Sequence, residues 1–320
     1  MSSSTAAPVL AWSDDLDVVE QRSIWRDALD RFRRNKMAVA SLVFVIFLLL
    51  VSLFGPVVSP YDYRRQDLLN PTQPPTVQHW LGTDLLGRDY LTRIMMGGRT
   101  AFVVAIFVVS ITTILGITIG ATTAYYGGWL DNLVMRLTDA IMSFPHLLLA
   151  IFIVGTVRNP LVDWLSQFRW LKGAGLIDYV VVFGALAMVG WPGKARLIRG
   201  QVLSLSQKEF VEAEHAIGAP TWMIIKDHLV PNALGPVIVA VSAEFGAVML
   251  LESSLSFLGI GIQPPGASWG NMINENLVNW RYTPHLLAGP GVALALAVLA
   301  FNFLGDGIND AMNPRQSTGR

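Results

Sequence analysis

Two acidic side chains lie in stretches of the sequence that are otherwise strongly apolar. Glu244 lies inside one such stretch, and Asp139 lies at the start of another. An ionisable group inside a membrane is costly, and it predicts a role in a transport pathway or a relay. Both residues also have a structural interpretation, since Asp139 can pair with Arg136 one helical turn earlier and Glu244 can make a hydrogen-bonded contact. The sequence leaves these interpretations open.

A short polar group follows at the end of the apolar stretch that holds Glu244. It consists of Glu252, Ser253 and Ser254, and the next residues, 255–262, are apolar but too few to cross a membrane. A half-crossing segment fits this pattern where it lines a cavity, and the hydroxyls would then give a weakly polar lining. Serines that pack helices together are an equally good interpretation.

Other kinds of chemistry find no support in the sequence. The histidines, at positions 79, 146, 215, 228 and 285, show no close metal-ligand spacing, and there are no cysteines. There is no glycine-rich phosphate-binding loop, and no catalytic combination of side chains stands out. A net charge of zero gives no basic footprint for nucleic acid. We therefore predict a chain that is not an enzyme, holds no metal or cofactor of its own and binds no nucleic acid.

The composition is that of a membrane protein. Hydrophobic residues make up 52% of the chain and charged residues 14%, and the mean hydropathy is +0.47. Soluble domains carry about a quarter charged residues, and a helix needs roughly 20 mostly apolar residues to span a bilayer. We predict an all-α membrane protein with six transmembrane helices, near residues 37–56, 100–126, 138–157, 177–192, 229–251 and 286–304.

The distribution of basic residues predicts the orientation of these helices. Basic residues favour the cytoplasmic side of a membrane, and a group of them precedes the first span, namely Arg22, Arg26, Arg31, Arg33, Arg34 and Lys36. We expect both termini in the cytoplasm, with tails at 1–36 and 305–320. Cytoplasmic residues 193–228 then hold Lys194, Arg196, Arg199, Lys208 and Lys226, while residues 57–99 form an extracytoplasmic loop. No cleavable signal peptide is evident.

Three segments outside the spans have open interpretations. Residues 22–36 show helical spacing of apolar residues, which predicts an amphipathic helix on the membrane surface or, alternatively, a solvated linker. The balanced charges of residues 57–99 suit docking to a soluble partner or a self-paired solvated cap. Residues 158–178 carry two tryptophans and suit an interfacial helix, without a predicted function.

The predicted cytoplasmic loop has the pattern of two short helices joined by a bend. Ser206 and Glu209 have capping-box spacing, so a helix is expected from there to about Ile217. Gly218 suits the left-handed residue that ends a helix, and Ala219 with Pro220 begins another. Such a bent pair is a rigid lever between the fourth and fifth spans, or an ordinary interfacial loop.

This loop resembles the "EAA" loop of binding-protein-dependent ABC permeases. The matching residues are Glu212, Ala213, Glu214, Gly218, Ala219, Pro220, His228 and Pro231. In that family the loop is the coupling helix that docks into a groove on the ATPase subunit, so the resemblance implies this role for these residues. Two positions depart from the family pattern, with Glu214 in place of alanine and Val230 in place of leucine. Glu214 adds a charge at or near the docking face.

Further motifs resemble the dipeptide, oligopeptide and nickel branch of that family, in its C-type subunit. The signature residues are Gly82, Asp84, Gly87, Arg88, Asp89, Asp139, Pro145, Arg196, Gly259, Trp269, Gly305 and Asp306. The resemblance covers roughly residues 37–315, with a MetI-like permease core at 100–304.

The resemblance implies an importer subunit in the inner membrane of a prokaryote that forms half of a pathway for peptides or related small solutes. The implied partners are a sister permease subunit in a heterodimer, two ABC ATPases that bind ATP and magnesium, and an extracytoplasmic binding protein. Glu244, Glu252, Ser253 and Ser254 are the candidate pathway residues. The rivals are an ion-coupled secondary transporter that uses Glu244 and Asp139, and a membrane-embedded enzyme.

Overall fold

A computed structural model describes residues 24–168 and 176–312. Within these ranges the regular structure is helical, apart from an isolated β-bridge between Thr83 and Asp89. The helices are α1 (Ile24–Arg34), α2 (Lys36–Val58), α3 (Tyr90–Tyr126), α4 (Gly128–Met142), α5 (His146–Leu165), α6 (Leu176–Leu205), α7 (Glu209–Ala216), α8 (Thr221–Phe257), α9 (Trp269–Asn276) and α10 (Pro284–Met312). Six of them, α2, α3, α5, α6, α8 and α10, are long and apolar enough to cross a membrane. This confirms the predicted fold class and number of spans.

The core of the bundle is the packing of α3 along α6, with α8 against both helices and α10 against α8 and α3. Thr112, Gly116 and Gly120 recur every fourth residue on the face of α3 that meets α6. A Cβ atom at Gly116 would clash with Lys194, and one at Gly120 would clash with the backbone of Ala195. Small residues spaced by four let two membrane helices approach closely, so the two backbones are nearly in contact here.

The predicted third span, 138–157, is divided between two helices. The helix α4 ends at Met142, and α5 begins at His146 with Pro145 as its N-cap residue. Proline disfavours a helical conformation of the residue before it, and this explains the break at residues 143–145. Asp139 therefore lies near the end of α4, and the membrane-crossing helix starts after Pro145.

The predicted fourth span ends too early. Helix α6 continues through Pro192 to Leu205, so Lys194, Arg196 and Arg199 lie on this helix and not in a loop. Proline is tolerated inside transmembrane helices where the surroundings satisfy the freed backbone groups. The predicted loop at 193–228 is correspondingly shorter and consists of α7 with a bend on each side.

Two more helices start earlier than predicted. Helix α3 begins at Tyr90, because the Asp89 side chain accepts a hydrogen bond from the backbone N–H of Thr92 and caps the helix. Helix α8 begins at Thr221, after Pro220, and runs through a π-helical turn at Ile224–Leu229 into the fifth span. The second short helix of the predicted lever is thus the first part of a membrane-crossing helix.

The amphipathic segment near the N-terminus packs on protein. Helix α1 lies against α10, with Ala28 buried and Phe32 close to Gly307. Of the predicted N-terminal tail at 1–36, residues 1–23 lie outside the described residues, as do residues 313–320 of the predicted C-terminal tail at 305–320. Of the predicted interfacial segment 158–178, residues 158–165 continue α5 and 176–178 begin α6, while 169–175 are not described.

Candidate functional site

The predicted coupling loop is a short helix held between two bends. Residues 206–208 connect α6 to α7, and residues 217–220 connect α7 to α8. Gly218 has a φ of +79°, as predicted, and it closes the end of α7 through two backbone hydrogen bonds, from Gly218 N to His215 O and from Ala219 N to Glu214 O, both 3.0 Å long. The predicted capping box is absent, since Lys208 is the N-cap residue and the Ser206 hydroxyl donates to the carbonyl of Leu203.

One face of α7 rests on the helix bundle. Val211 is buried on this face and Glu214 is half-buried, while His215, one residue further along, lies at its exposed edge. Val211 is buried in a cluster with residues from the end of α3, the end of α6 and the start of α8, which are Ala121, Ala124, Ile198, Val202, Ile224, Ile225 and Leu229. We call this end of the bundle the coupling end.

Two polar contacts lie beside Val211. The carboxylate of Glu214 pairs with His228 Nε2 on α8 at 3.2 Å, and His215 Nε2 lies 2.8 Å from the hydroxyl of Tyr125 on α3. Glu214 therefore points towards the bundle, and its side chain stays partly exposed. The rings of Tyr125 and His215 are also stacked at a centroid distance of 6.2 Å.

The opposite face of α7 is open to solvent. Its side chains are small or acidic, namely Glu209, Glu212, Ala213 and Ala216. Three larger apolar side chains are also exposed beside it, Phe210, Ile217 and Trp222. Among the remaining predicted coupling residues, Pro220 is exposed at the second bend, and Pro231 is exposed one helical turn beyond His228. The arrangement is a narrow helical ridge with an acidic and apolar surface.

Glu244 makes the structural contact that was one of its two predicted roles. Its carboxylate forms an ion pair with Lys194 on α6, and the Lys194 ammonium also donates to the Thr112 hydroxyl on α3. Lys194 is buried, so a polar junction joins α3, α6 and α8 inside the membrane-crossing region. The sequence analysis missed this partner because Lys194 follows Pro192 and was assigned to a loop.

The polar group at the end of the predicted fifth span lies inside α8. Glu252 is fully buried and accepts hydrogen bonds from the hydroxyls of Ser253, Ser256 and Ser268. It joins α8 to the segment before α9 and does not line an open surface of this chain. Ser253 and Ser254 line an otherwise apolar cleft of about 300 Å³ between α5, α8, α9 and α10.

The opposite end of the bundle is held by a buried network of charges. Asp84 pairs with Arg88 at 2.6 Å and with Arg93, and Arg93 also pairs with Glu275 on α9 at 2.9 Å. Burial disfavours the charged form of Asp84, but the two arginines and a backbone N–H more than offset it and hold the pKa of this carboxyl below its ordinary value. Within residues 57–99, Asp84, Arg88 and Arg93 are thus paired and buried, while their partner Glu275 comes from α9 and is partly exposed.

Several other signature residues stabilise the same end of the bundle as the Asp84 network. Gly82 and Gly87 have φ values of +73° and +72°, and a side chain at either would also clash with the backbone of residues 73 or 67. Asp89 bonds His79 Nδ1 at 2.8 Å. Trp269 donates from its indole N–H to the carbonyl of Ile94 at 2.9 Å. These contacts tie the segment before α3 and the start of α9 to the bundle.

The remaining signature residues lie apart from that end. Asp139 pairs with Arg196 on α6 and not with Arg136, and this pair is largely exposed. Gly305 packs against the backbone of Ala243, Gly259 has a φ of +78°, and Asp306 is exposed near the end of α10. In the described part of the chain no three metal-ligating side chains come together.

The stability of the Asp84 network is expected to fall in acid. A depressed pKa contributes stability that is complete above the unfolded value of about 3.9 and is lost as pH falls through the folded value. We expect the thermal unfolding midpoint, measured by tryptophan fluorescence in detergent, to drop below about pH 4. An Asp84→Asn variant should be less stable at pH 7 and lose less stability on acidification. An identical acid response in the variant and the wild type would contradict this assignment.

Six spans, a short helix braced between two bends at one end and a buried charge network at the other define a membrane permease domain. Residues 113–318 match the family described as binding-protein-dependent transport system inner membrane component, and residues 23–75 match the N-terminal transmembrane domain of oligopeptide transport permease C. The chain belongs to this family, the permease subunits of ABC importers.

Similar proteins match over nearly the whole chain. A glutathione transport system permease protein, GsiD, of Pectobacterium atrosepticum is 37% identical over 306 residues, which cover 94% of this chain and 95% of that protein. The GsiD protein of an Escherichia coli strain is 36% identical over 92% of this chain and 91% of its own length. The oligopeptide transport system permease protein OppC of Bacillus subtilis is 33% identical over 96% of each chain. These relatives give no support to an ion-coupled transporter.

Proposed function

We propose that this chain forms half of the membrane pathway of an importer for peptides or glutathione-like solutes. In this proposal a sister permease supplies the other half, and two ABC ATPases bind ATP and magnesium and each hold one coupling helix. A solute-binding protein delivers the cargo at the end that holds the Asp84 network. The names of the relatives support the solute class, since they include transporters of glutathione and of oligopeptides.

The solvent-exposed face of α7 is the observation that carries the proposal. Its small side chains, Ala213 and Ala216, let a helix approach a partner closely, and Glu212 adds a negative charge that a cationic groove would complement. The inner face of the same helix rests on α3, α6 and α8. A partner that held α7 would therefore be coupled to three membrane-crossing helices.

The orientation in the membrane is also part of the proposal. The coupling end has to face the cytoplasm if ATPases bind there, and the basic residues of α1, with Lys36 at the start of α2, are consistent with this side. Both termini would then be cytoplasmic. The apolar cleft with Ser253 and Ser254 is open at the surface of the isolated chain, where a sister subunit could complete a pathway.

Changes in the coupling loop are expected to separate ATP hydrolysis from transport. Proline cannot adopt a φ of +79° and has no N–H to donate to His215, so Gly218→Pro must rearrange the second bend at a cost above about 1 kcal/mol and displace α7. Glu212→Lys reverses the charge of the exposed face. We expect either variant to lower solute uptake per ATP hydrolysed by about tenfold or more in reconstituted vesicles, with normal membrane insertion.

Gly218→Asn provides the matched control. Asparagine tolerates the left-handed conformation, and a Cβ atom at this position would meet open space. It should retain most of the uptake. Wild-type uptake by both Gly218→Pro and Glu212→Lys would contradict the proposal, and so would purification of the native complex without two ATPases and a sister permease.

A further inference from the structure

The coupling helix α7 is connected to its two neighbouring helices only by non-helical segments. It is joined to α6 through residues 206–208 and to α8 through residues 217–220, and neither connection is helical. A short helix between two bends can rock when a partner moves it, and the motion is then lost before it reaches the membrane. A helix of eight residues also has little stability of its own.

Two side-chain contacts restrain this rocking. A contact of 3.2 Å between the Glu214 carboxylate and His228 Nε2 joins α7 to α8, and the His215–Tyr125 hydrogen bond joins α7 to α3, to which α7 has no direct chain connection. The two contacts start from adjacent residues and diverge to different helices. Together with the buried Val211 they hold α7 at three points on one face.

We propose that Tyr125, His215, Glu214 and His228 are positioning residues that fix the coupling helix to α3 and α8, and we call these two contacts the brace. The inference deepens the proposed function, on which its mechanical meaning rests. Tyr125 lies on the second span, so the brace passes a displacement of α7 to α3 as well as to the helices on either side of the loop. The contacts themselves are within one chain and can be tested without a partner.

The charge at Glu214 then has a different role from that expected of a docking residue. The family pattern has alanine at this position, and alanine would leave His228 without this partner. With glutamate, the contact joins α7 to His228, which lies within the π-helical turn at Ile224–Leu229 of α8. The exposed face of α7 keeps Glu209 and Glu212 for a partner.

Hydrogen–deuterium exchange of the purified permease complex tests the brace directly. Exchange reports the local opening of a helix. In a Tyr125→Phe, Glu214→Gln double variant we expect the backbone amides of residues 211–217 to exchange roughly tenfold faster, which corresponds to about 1.4 kcal/mol of local stability. Each single variant should give a smaller increase. The matched control is Tyr126→Phe, which removes the hydroxyl of the neighbouring, exposed tyrosine.

A transport assay separates the brace from the proposed function. The double variant should lower uptake per ATP hydrolysed severalfold. A second double variant, Glu214→His with His228→Glu, exchanges the two partners, and its uptake per ATP hydrolysed should exceed that of His228→Glu alone. Unchanged amide exchange in the double variant would overturn the brace, whatever the ATPase result. Faster exchange with a wild-type transport ratio would also overturn its mechanical role, while a defect in Gly218→Pro would still support the proposed function.

Discussion

Replacing Glu244 with leucine is expected to destabilise the protein by about 3–5 kcal/mol, because it leaves the Lys194 ammonium buried without its counter-charge. Lys194→Met should cost a similar amount, since the carboxylate of Glu244 would then lose its ion-pair partner. The double variant should be much closer to the wild type than either single variant, because replacing both charges by apolar groups of similar volume is often neutral. A double-mutant cycle of unfolding free energies, measured by SDS titration in mixed micelles, gives these values.

The exposed ion pair between Asp139 and Arg196 is the matched control for this cycle. It also joins α6 to another helix, but both of its side chains are largely in solvent. Breaking an exposed pair usually costs no more than about 1 kcal/mol. If Glu244→Leu and Lys194→Met were additive, or no more damaging than Asp139→Ala, the junction would not be the buried ion pair that the structure shows.

The Lys194–Glu244 pair lies where it can affect how movement of the coupling loop reaches the membrane-crossing helices. It joins α6 and α8, the two helices that the coupling loop connects, and Thr112 extends the junction to α3. These are the helices on which α7 also rests at the coupling end. We therefore expect the double apolar variant to fold well but to give lower uptake per ATP hydrolysed, since the three helices lose a specific polar contact that keeps them in register.

Gly120→Val is expected to have an effect of similar size for a different reason. A Cβ atom at Gly120 would clash with the carbonyl oxygen, carbonyl carbon and Cα of Ala195, and backbone atoms cannot move aside as the end of a side chain can. Helices α3 and α6 would have to separate, at a cost of about 2–4 kcal/mol, and Thr112 would move away from Lys194. The thermal unfolding midpoint of the purified complex measures the change.

Gly184→Val separates this close approach from the general effect of valine in a helix. Gly184 lies on α6, is exposed, and would place its Cβ atom in open space. Its replacement by valine should change the midpoint very little. Equal losses for the two variants would contradict the role of Gly120 as a contact surface.

Features that depend on local chemistry were predictable from the sequence. Six apolar stretches predict six spans because a membrane-crossing helix must satisfy its backbone groups within itself, and all six are present. Gly218 and Pro220 predict a bend because glycine, which lacks a Cβ atom, accepts a positive φ, while proline fixes φ and favours the first turn of a helix, and both lie where expected. The order of the EAA residues and the signature residues identifies the family, and the match over residues 113–318 confirms it.

The partners of the charged residues could not be predicted, because they come from distant parts of the chain. Asp139 has Arg136 one turn away, yet it pairs with Arg196 on another helix. Glu275 had no signal in the sequence at all, and its role appears only where α9 meets the start of α3. A carboxylate in an apolar stretch shows that a partner is needed, but the packing of the helices selects which one.

The same distinction explains the errors at helix ends. Pro192 was expected to end α6, but the helix continues to Leu205. In this continuation Lys194 pairs with Glu244 on α8, and Arg199 pairs with Asp131 on α4. Local rules describe what a residue prefers, and a proline inside a membrane-crossing helix is tolerated where its surroundings satisfy the freed backbone groups. The amino-acid sequence therefore predicts a permease with six spans and a coupling loop that bends at Gly218. The contacts between helices determine that this loop is braced to α3 and α8, because each of those contacts joins residues far apart in the chain.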